Sequence, residues 1–148
     1  MKILLINGPN LNKLGKREAK LYGKKTLNEI IDLIKKQSES LGIEILSIQS
    51  NYEGKLIDFI QQHSSGASGI IINPGALTHY GLSLRDALVD SGLPVIEVHL
   101  SNIYAREEWR AKSVIAPVCQ GQITGLGYRG YIAALRTMAS FLKGDKAA

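Results

Sequence analysis

Arg17 and Tyr22 are the first residues along the chain whose types and spacing point to chemistry. They lie five residues apart in a polar segment near the N-terminus. A guanidinium within about 4–6 Å stabilises a phenolate, so the pair could supply a general base. Tyr22 alone is more typical of a packing residue. Its interest comes from its position and from its neighbour Arg17.

Glu97 and His99 form a second candidate pair near the end of an apolar run. Side chains alternate between the two faces of a strand, so these two share a face and Val98 lies on the other. A neighbouring carboxylate can orient a histidine or hold its proton. Isolated histidines at strand ends are more often structural. With the carboxylate partner, a structural role and an acid role are equally consistent.

Two asparagines follow predicted strands, Asn10 in the segment NGPNLN and Asn73 directly before Pro74-Gly75. Asparagines there can form turns or can hold a water or a developing oxyanion, and both interpretations stay open. NGPNLN is neither a GxGxxG nor a Walker A sequence, so the usual signatures of nicotinamide, flavin and nucleotide sites are absent.

Arg106 and Arg110 would share one face if residues 104–111 form a short helix. Two guanidiniums beside a pocket suit a carboxylate ligand. For Arg106, pairing with Glu107 or Glu108 is an equally good interpretation.

Several kinds of catalysis lack their residues in this sequence. Histidines, cysteines and carboxylates show no metal-ligand spacing, and no lysine lies inside an apolar strand where it could form a Schiff base. There is no nucleophile elbow, and Cys119 is the one cysteine. The prediction is acid–base chemistry without a metal or another cofactor.

Alternating apolar runs and helical patterns predict the elements that position these residues. The runs predict five strands, at Lys2–Asn7, Ile43–Ile48, Gly69–Ile72, Val95–Val98 and Val114–Val118. Helices are expected between them, the first opened by a capping box of Thr26 and Glu29. We expect an α/β fold, a flavodoxin-like doubly wound five-stranded parallel sheet of order 2-1-3-4-5, in a single domain of residues 1–148.

The connection after the first strand, residues 8–25, is much longer than the usual 2–6 residues. It leaves the carboxyl end of that strand, where ligands bind in open α/β sheets, so we interpret it as a lid. Residues 143–148 are expected to fray.

The net charge of +5 raises the question of nucleic acid, and the excess is concentrated in the lysines of the lid segment. No nucleic-acid module is recognisable, and aromatic residues make up only 6% of the chain. We therefore expect a small anionic substrate and no nucleic acid. No apolar run approaches 18 residues, so no membrane association is predicted and a cytoplasmic location is expected.

Eight short motifs resemble the type II 3-dehydroquinate dehydratase family in order and interval. They are NGPNLN, LGKRE, LYG, NPGALTH, RDAL, PVIEVHLSN, ARE and WR. The resemblance covers nearly the whole chain. It implies dehydration of 3-dehydroquinate to 3-dehydroshikimate in the shikimate or quinate pathway, by a cofactor-free anti elimination through an enolate.

The resemblance also implies roles for individual residues. Tyr22 resembles the base, Arg17 the residue that favours its phenolate, Asn10 the holder of a water at the enolate, and His99 the acid. The other positions match substrate contacts: Asn73, Leu100 and Ser101 for the carboxylate, and His79, Asp86 and Arg110 for the hydroxyls. The family forms trimers assembled into dodecamers, in which Asp86 is expected to reach a neighbouring subunit's site.

Some positions depart from the family pattern. Ala19 replaces a usual proline and Lys13 a usual leucine, and three residues around Thr78-His79 differ: Leu77, Tyr80 and Gly81. None is a catalytic position. Two other classes remain as alternatives, a flavodoxin-like module that binds an anion without turnover and a basic RNA-binding domain.

Overall fold

Five parallel strands form one sheet in the computed structural model, which describes residues 1–144. The strands are β1 (Lys2–Asn7), β2 (Glu44–Gln49), β3 (Gly69–Asn73), β4 (Val95–His99) and β5 (Gly121–Thr124). The helices are α1 (Ala19–Tyr22), α2 (Leu27–Ser40), α3 (Glu53–His63), α4 (Leu82–Asp90) and α5 (Arg129–Leu142). The sheet order is β2-β1-β3-β4-β5, which confirms the predicted order and fold class.

Helices cover both faces of the sheet. Ile3 and Leu5 of β1 pack with α2 and α5, whereas Leu4 and Ile6 pack with α3 and α4. All four side chains are fully buried. This two-sided burial is the reason that β1 is a continuous apolar run rather than an alternating one.

The predicted first helix begins where its cap was expected. Thr26 Oγ1 accepts a hydrogen bond from the Glu29 backbone N–H at 3.2 Å. The preceding segment, residues 8–25, contains a 3₁₀ turn at Leu11–Lys13 and the single-turn helix α1.

The prediction of a strand at Val114–Val118 is wrong. Residues Ala116–Val118 form a 3₁₀ turn with Pro117 near its start, and the fifth strand is Gly121–Thr124, paired with β4. Ser113 Oγ accepts hydrogen bonds from the backbone N–H groups of residues 115 and 116, which bends the chain. Ile115 is buried among the α3 and α4 side chains instead of in the sheet. β5 itself carries one large apolar residue, Ile123, a weak strand signal.

The segment expected as a short helix at residues 104–111 is also different. It forms two 3₁₀ turns, Ile103–Ala105 and Glu108–Ala111, and Arg106 between them has an extended backbone. The Asn102 side chain caps the first turn through the Tyr104 N–H at 3.1 Å. Of the predicted frayed terminus, residues 143–144 form a turn and residues 145–148 lie outside the described part of the chain. Within residues 1–144, no helix has the length and apolar character needed to cross a bilayer.

Candidate active site

A pocket of about 130 Å³ opens at the carboxyl ends of β1, β3 and β4. Nine of the ten predicted site residues line it: Asn10, Arg17, Tyr22, Asn73, His79, His99, Leu100, Ser101 and Arg110. The tenth, Asp86, does not. These residues come from four separate stretches of sequence, which the parallel sheet brings to one edge.

Two interlocked turns form the floor of the pocket. Gly8 lies so close to Pro74 that a Cβ at residue 8 would overlap the Pro74 carbonyl group. Gly75 has a φ of 59°, and a Cβ there would lie 2.9 Å from the Pro9 carbonyl oxygen. The Gly8 N–H donates to the Asn73 carbonyl at 2.8 Å. This close approach explains the glycines of the NGP and NPG motifs.

Arg17 and Tyr22 form one wall of the pocket. Arg17 Nη2 donates to the Tyr22 hydroxyl at 3.1 Å, and its Cζ lies 4.1 Å from the centre of the Tyr22 ring. Arg106 lies over the same ring at 5.3 Å. Both Arg17 and Tyr22 are half-buried. Two positive charges therefore lie at the ring and hydroxyl of Tyr22.

His99 forms a second wall of the pocket, and it is buried together with its partner Glu97. The Glu97 Oε2 atom accepts from His99 Nε2 at 2.7 Å and from Gln122 Nε2. Oε1 accepts from Thr78 Oγ1 at 3.1 Å and from Ser113 Oγ at 2.9 Å. Glu97 is fully buried and His99 is 5% exposed, so four donors fix the carboxylate and the carboxylate fixes the imidazole.

The charge on Glu97 follows from these contacts. Burial raises the pKa of Glu97, but the hydrogen bond and charge of His99, with the donors Gln122 and Ser113, outweigh burial and leave the pKa below its usual range. Glu97 is therefore ionised at neutral pH, where His99 has a negative charge beside it.

Asn10 has the only positive φ, 69°, of any non-glycine residue from 1 to 144. Its backbone N–H donates to Asn51 Oδ1 at 3.0 Å, and Gln49 Nε2 donates to the same oxygen at 3.2 Å. Within the part of the chain that the structure describes, the Asn10 side-chain amide has no hydrogen-bond partner. The turn thus holds Asn10 in the pocket lining while its amide stays available to a ligand.

Asn73, Leu100 and Ser101 lie side by side at the ends of β3 and β4. Asn73 Nδ2 donates to the Tyr131 hydroxyl at 2.9 Å, and its Oδ1 accepts from the Gly75 N–H at 3.1 Å. Ser101 Oγ accepts from Arg106 Nη1 at 3.1 Å. Asn73 and Arg106 both line the pocket and carry N–H groups besides those used in these two bonds, which suits an anion.

His79 and Arg110 line the side of the pocket near the two 3₁₀ turns. His79 Nδ1 donates to the Lys112 carbonyl at 2.7 Å, which leaves Nε2 for a ligand. Arg110 pairs with Glu107 and lies over the Trp109 ring, 4.1 Å from Cζ to its centre.

Arg106 lines the pocket although the sequence left its role undecided. It contacts Ser101 rather than Glu107 or Glu108, because the extended backbone between the turns directs it inward. Thr78, Ser113 and Gln122, which hold Glu97, were also missed as functional residues. They lie 16 to 25 residues from Glu97 along the chain, and no local pattern indicates such contacts.

Asp86 lies on α4, outside the pocket of this chain. Its side chain is 74% exposed and approaches Arg85 at 3.8 Å. A role for Asp86 in a site therefore requires a second copy of the chain.

Comparisons with known proteins agree with this geometry. The family model described as Dehydroquinase class II matches residues 1–139. A 3-dehydroquinate dehydratase from Roseiflexus castenholzii is 59% identical over 135 residues, which covers 91% of this chain and 86% of the relative. One from Clostridium perfringens is 53% identical over 97% of this chain and 99% of the relative. The crystal structure of a type II dehydroquinase from Butyrivibrio crossotus superposes with a TM-score of 0.91 at 49% identity, covering 93% of this chain and 97% of that one.

The fold and the pocket define a parallel α/β enzyme whose site lies at the carboxyl ends of its strands and is rich in acid–base groups. The chain belongs to the class II dehydroquinase family. The resemblance drawn from the eight motifs is thereby confirmed.

Proposed function

We propose that this protein dehydrates 3-dehydroquinate to 3-dehydroshikimate. The observation that carries the proposal is that two differently built proton-transfer pairs, Arg17–Tyr22 and Glu97–His99, meet at one pocket, which Arg17, Tyr22 and His99 line. Loss of water from a β-hydroxy ketone needs a base for the α-proton and an acid for the departing hydroxyl. The names of the relatives agree with this reaction.

In the proposed mechanism, Tyr22 begins as a phenolate and removes the C2 proton of the substrate. The C–H electron pair forms an enolate with the neighbouring ketone, and Tyr22 becomes a neutral phenol. Arg17 stabilises the phenolate through the contact at 3.1 Å. Each proton transfer of this kind contributes about 10²–10⁴-fold to the rate.

Asn10 supports the enolate in the second step. We propose that its amide, which no described neighbour occupies, holds a water molecule against the enolate oxygen. The left-handed backbone of residue 10 keeps the amide in the pocket lining. Donors placed where negative charge develops are a large contribution to catalysis.

His99 completes the elimination as the acid. It gives a proton to the C1 hydroxyl as the C1–O bond breaks, the enolate collapses to the conjugated enone, and water leaves from the face opposite the removed proton. Tyr22 then gives its proton to solvent, and His99 takes a proton from solvent. The ionised Glu97 accepts the hydrogen bond of His99 Nε2 and so holds the imidazole in place for the transfer.

Binding of the substrate is assigned to the remaining residues of the pocket. Asn73 and the chain at Leu100-Ser101 would take the carboxylate, and His79 and Arg110 the hydroxyls. The donors of Asn73 and the free Nε2 of His79 support this arrangement. The proposed reaction requires no metal or other cofactor.

We also propose that the protein is a homo-oligomer, a trimer that assembles further into a dodecamer. Leu82, Asp86 and Val89 lie on one face of α4, and the apolar pair is 61% and 52% exposed. A second copy packed there would bury the apolar pair and bring Asp86 to a neighbouring site. Light scattering should give a mass well above the 16.1 kDa of one chain, whereas a monomer at micromolar concentration would contradict the shared site.

The direct test of function is to add 3-dehydroquinate to the purified protein and follow the ultraviolet absorbance of the conjugated enone. We expect turnover that survives EDTA and borohydride. Loss of activity that added metal restores, or a mass addition at a lysine, would contradict the mechanism. Tight binding without turnover would instead support an anion-binding module.

A further inference from the structure

Tyr131 is a fully buried tyrosine of α5 that lies beneath the pocket without lining it. Its hydroxyl accepts from Asn73 Nδ2 at 2.9 Å and donates to Asn7 Oδ1 at 2.6 Å. Asn7 and Asn73 are paired residues at the ends of β1 and β3. A helix on one face of the sheet therefore links the two strand ends that carry the pocket floor.

The direction of this chain of hydrogen bonds is fixed at one end by the backbone. The Gly75 N–H is a donor, so the Asn73 atom that meets it at 3.1 Å must be the carbonyl oxygen. The Asn73 amide nitrogen then faces Tyr131, and the Tyr131 proton must point to Asn7. The Gly75 N–H thus fixes the orientation of the Asn73 amide, and the Tyr131 hydroxyl in turn fixes that of the Asn7 amide.

One polar group remains unsatisfied in this arrangement. Asn7 is fully buried, and its Nδ2 has no hydrogen-bond partner among residues 1–144. A buried donor without a partner destabilises the fold. An apolar pair at positions 7 and 131 would avoid that penalty. The network therefore indicates a role other than stabilising the fold.

We propose that Tyr131 is a positioning residue that sets the hydrogen-bonding character of the pocket floor. By accepting one N–H of Asn73, it holds the amide so that the second N–H is left for a ligand and the carbonyl oxygen is turned to Gly75. The floor then offers a donor and favours an acceptor such as a carboxylate. This inference rests on the proposed function, in which Asn73 binds the substrate's carboxylate.

The Tyr131 hydroxyl keeps its proton over the working range of pH. Burial raises the pKa of Tyr131 far above its usual value, despite the opposing hydrogen bond from Asn73. The donor to Asn7 and the acceptor for Asn73 thus persist together, and the orientation does not change with pH.

Tyr131→Phe tests the inference, since it keeps the ring and removes the hydroxyl. We expect the KM for 3-dehydroquinate to rise about three- to tenfold while kcat changes little, with the same ratio to wild type at every pH. In an Asn73→Ala background, Tyr131→Phe should raise KM no further, because the effect is transmitted through Asn73. An unchanged KM, or an equal rise in both backgrounds, would overturn the inference.

Two controls separate positioning from general loss of stability. Ile30→Val weakens the same core from α2, away from the pocket, and should leave KM unchanged. If Tyr131→Phe does not fold, Asn7→Val removes the acceptor of the hydroxyl and frees Tyr131 to turn. It should raise KM in the same direction, and an unchanged KM would contradict the inference. Wild-type protein without dehydratase activity would count against the proposed function itself, whereas normal wild-type turnover with no effect of these variants counts only against Tyr131.

Discussion

The two walls of the pocket are held in place in different ways. His99 is at the end of a buried strand, and its partner Glu97 accepts hydrogen bonds from four side chains. Tyr22 ends a helix of four residues, is half-buried, and has one hydrogen-bonding partner for its hydroxyl among the described residues, Arg17. Four hydrogen bonds at the Glu97 carboxylate fix the buried Glu97–His99 pair, whereas the Tyr22 hydroxyl has one hydrogen bond, from its own segment, and its ring packs only partly buried against the core.

This difference separates stability from activity at the two walls. Changes at Glu97 disturb a buried charge and should therefore alter both folding and turnover. Removing the Arg17 guanidinium or the Tyr22 hydroxyl breaks the one hydrogen bond between them and should alter turnover with little effect on folding.

The largest expected effect is that of Tyr22→Phe. Removing the proposed base should lower kcat by about 10²–10⁴-fold, with substrate binding and thermal unfolding close to wild type. Tyr52→Phe, at an exposed tyrosine outside the pocket, is the matched control. If Tyr22→Phe keeps more than about a tenth of the wild-type rate, Tyr22 is not the base.

Arg17→Ala should be the next largest. Without its guanidinium the phenolate loses a stabilising charge, and we expect kcat to fall about 10–100-fold at neutral pH. Alkaline pH should restore part of the rate, because it ionises the tyrosine directly. Arg17→Lys should restore only part of the loss, since lysine supplies charge without the planar fork. A rate that stays equally low at every pH would show that Arg17 has another role.

Glu97→Gln should lower kcat by about tenfold and should also destabilise the fold by about 1–3 kcal/mol. The pKa of Glu97 is lowered in the folded state, so its ionised form stabilises the protein above the unfolded pKa of about 4.5. That contribution is lost as pH falls through the lower, folded pKa. Urea unfolding across this range should therefore show the wild type losing its advantage over the variant in acid. A difference that stays constant with pH would argue against an ionised Glu97.

Thr26→Ala should have the smallest effect on activity. Loss of the α2 cap should reduce stability by about 0.5–2 kcal/mol, while kcat stays within about twofold of wild type. The reason is that Arg17 holds the Tyr22 hydroxyl and Glu18 holds the Tyr22 backbone N–H, and both contacts lie within residues 8–25. A large fall in kcat would show that the anchoring of residues 8–25 at Thr26 sets the position of the base.

The sequence predicted the first four strands to within a residue or two at each end, because the strands of a buried parallel sheet have short, continuous apolar sequences. The fifth failed because Ile115 and its neighbours are apolar for contact with α3 and α4, whereas β5 has only Ile123. An apolar pattern along the chain does not show whether its residues are buried within the sheet or against helices.

Site residues could be predicted where reactive side chains lie close together in the sequence. The shared face of Glu97 and His99 follows from strand alternation, and the structure shows the contact. The substrate contacts came from the family motifs. Partners distant in sequence could not be found this way. Arg106 binds Ser101 because of an unexpected extended backbone, and Tyr131 reaches Asn7 across 124 residues of chain.

The interlocked turns of Gly8–Pro9 and Pro74–Gly75 also bear on the order in which the molecule assembles. Each turn occupies space that a side chain on the other would need, and the two are distant along the chain. Contacts between distant segments require the intervening chain to close, at a cost in conformational entropy, so we expect them to form late in folding. The pocket floor therefore cannot exist before β1 and β3 have paired. A partly folded chain has no functional precursor of the site, so the ability to bind substrate should appear in the same step as the native sheet.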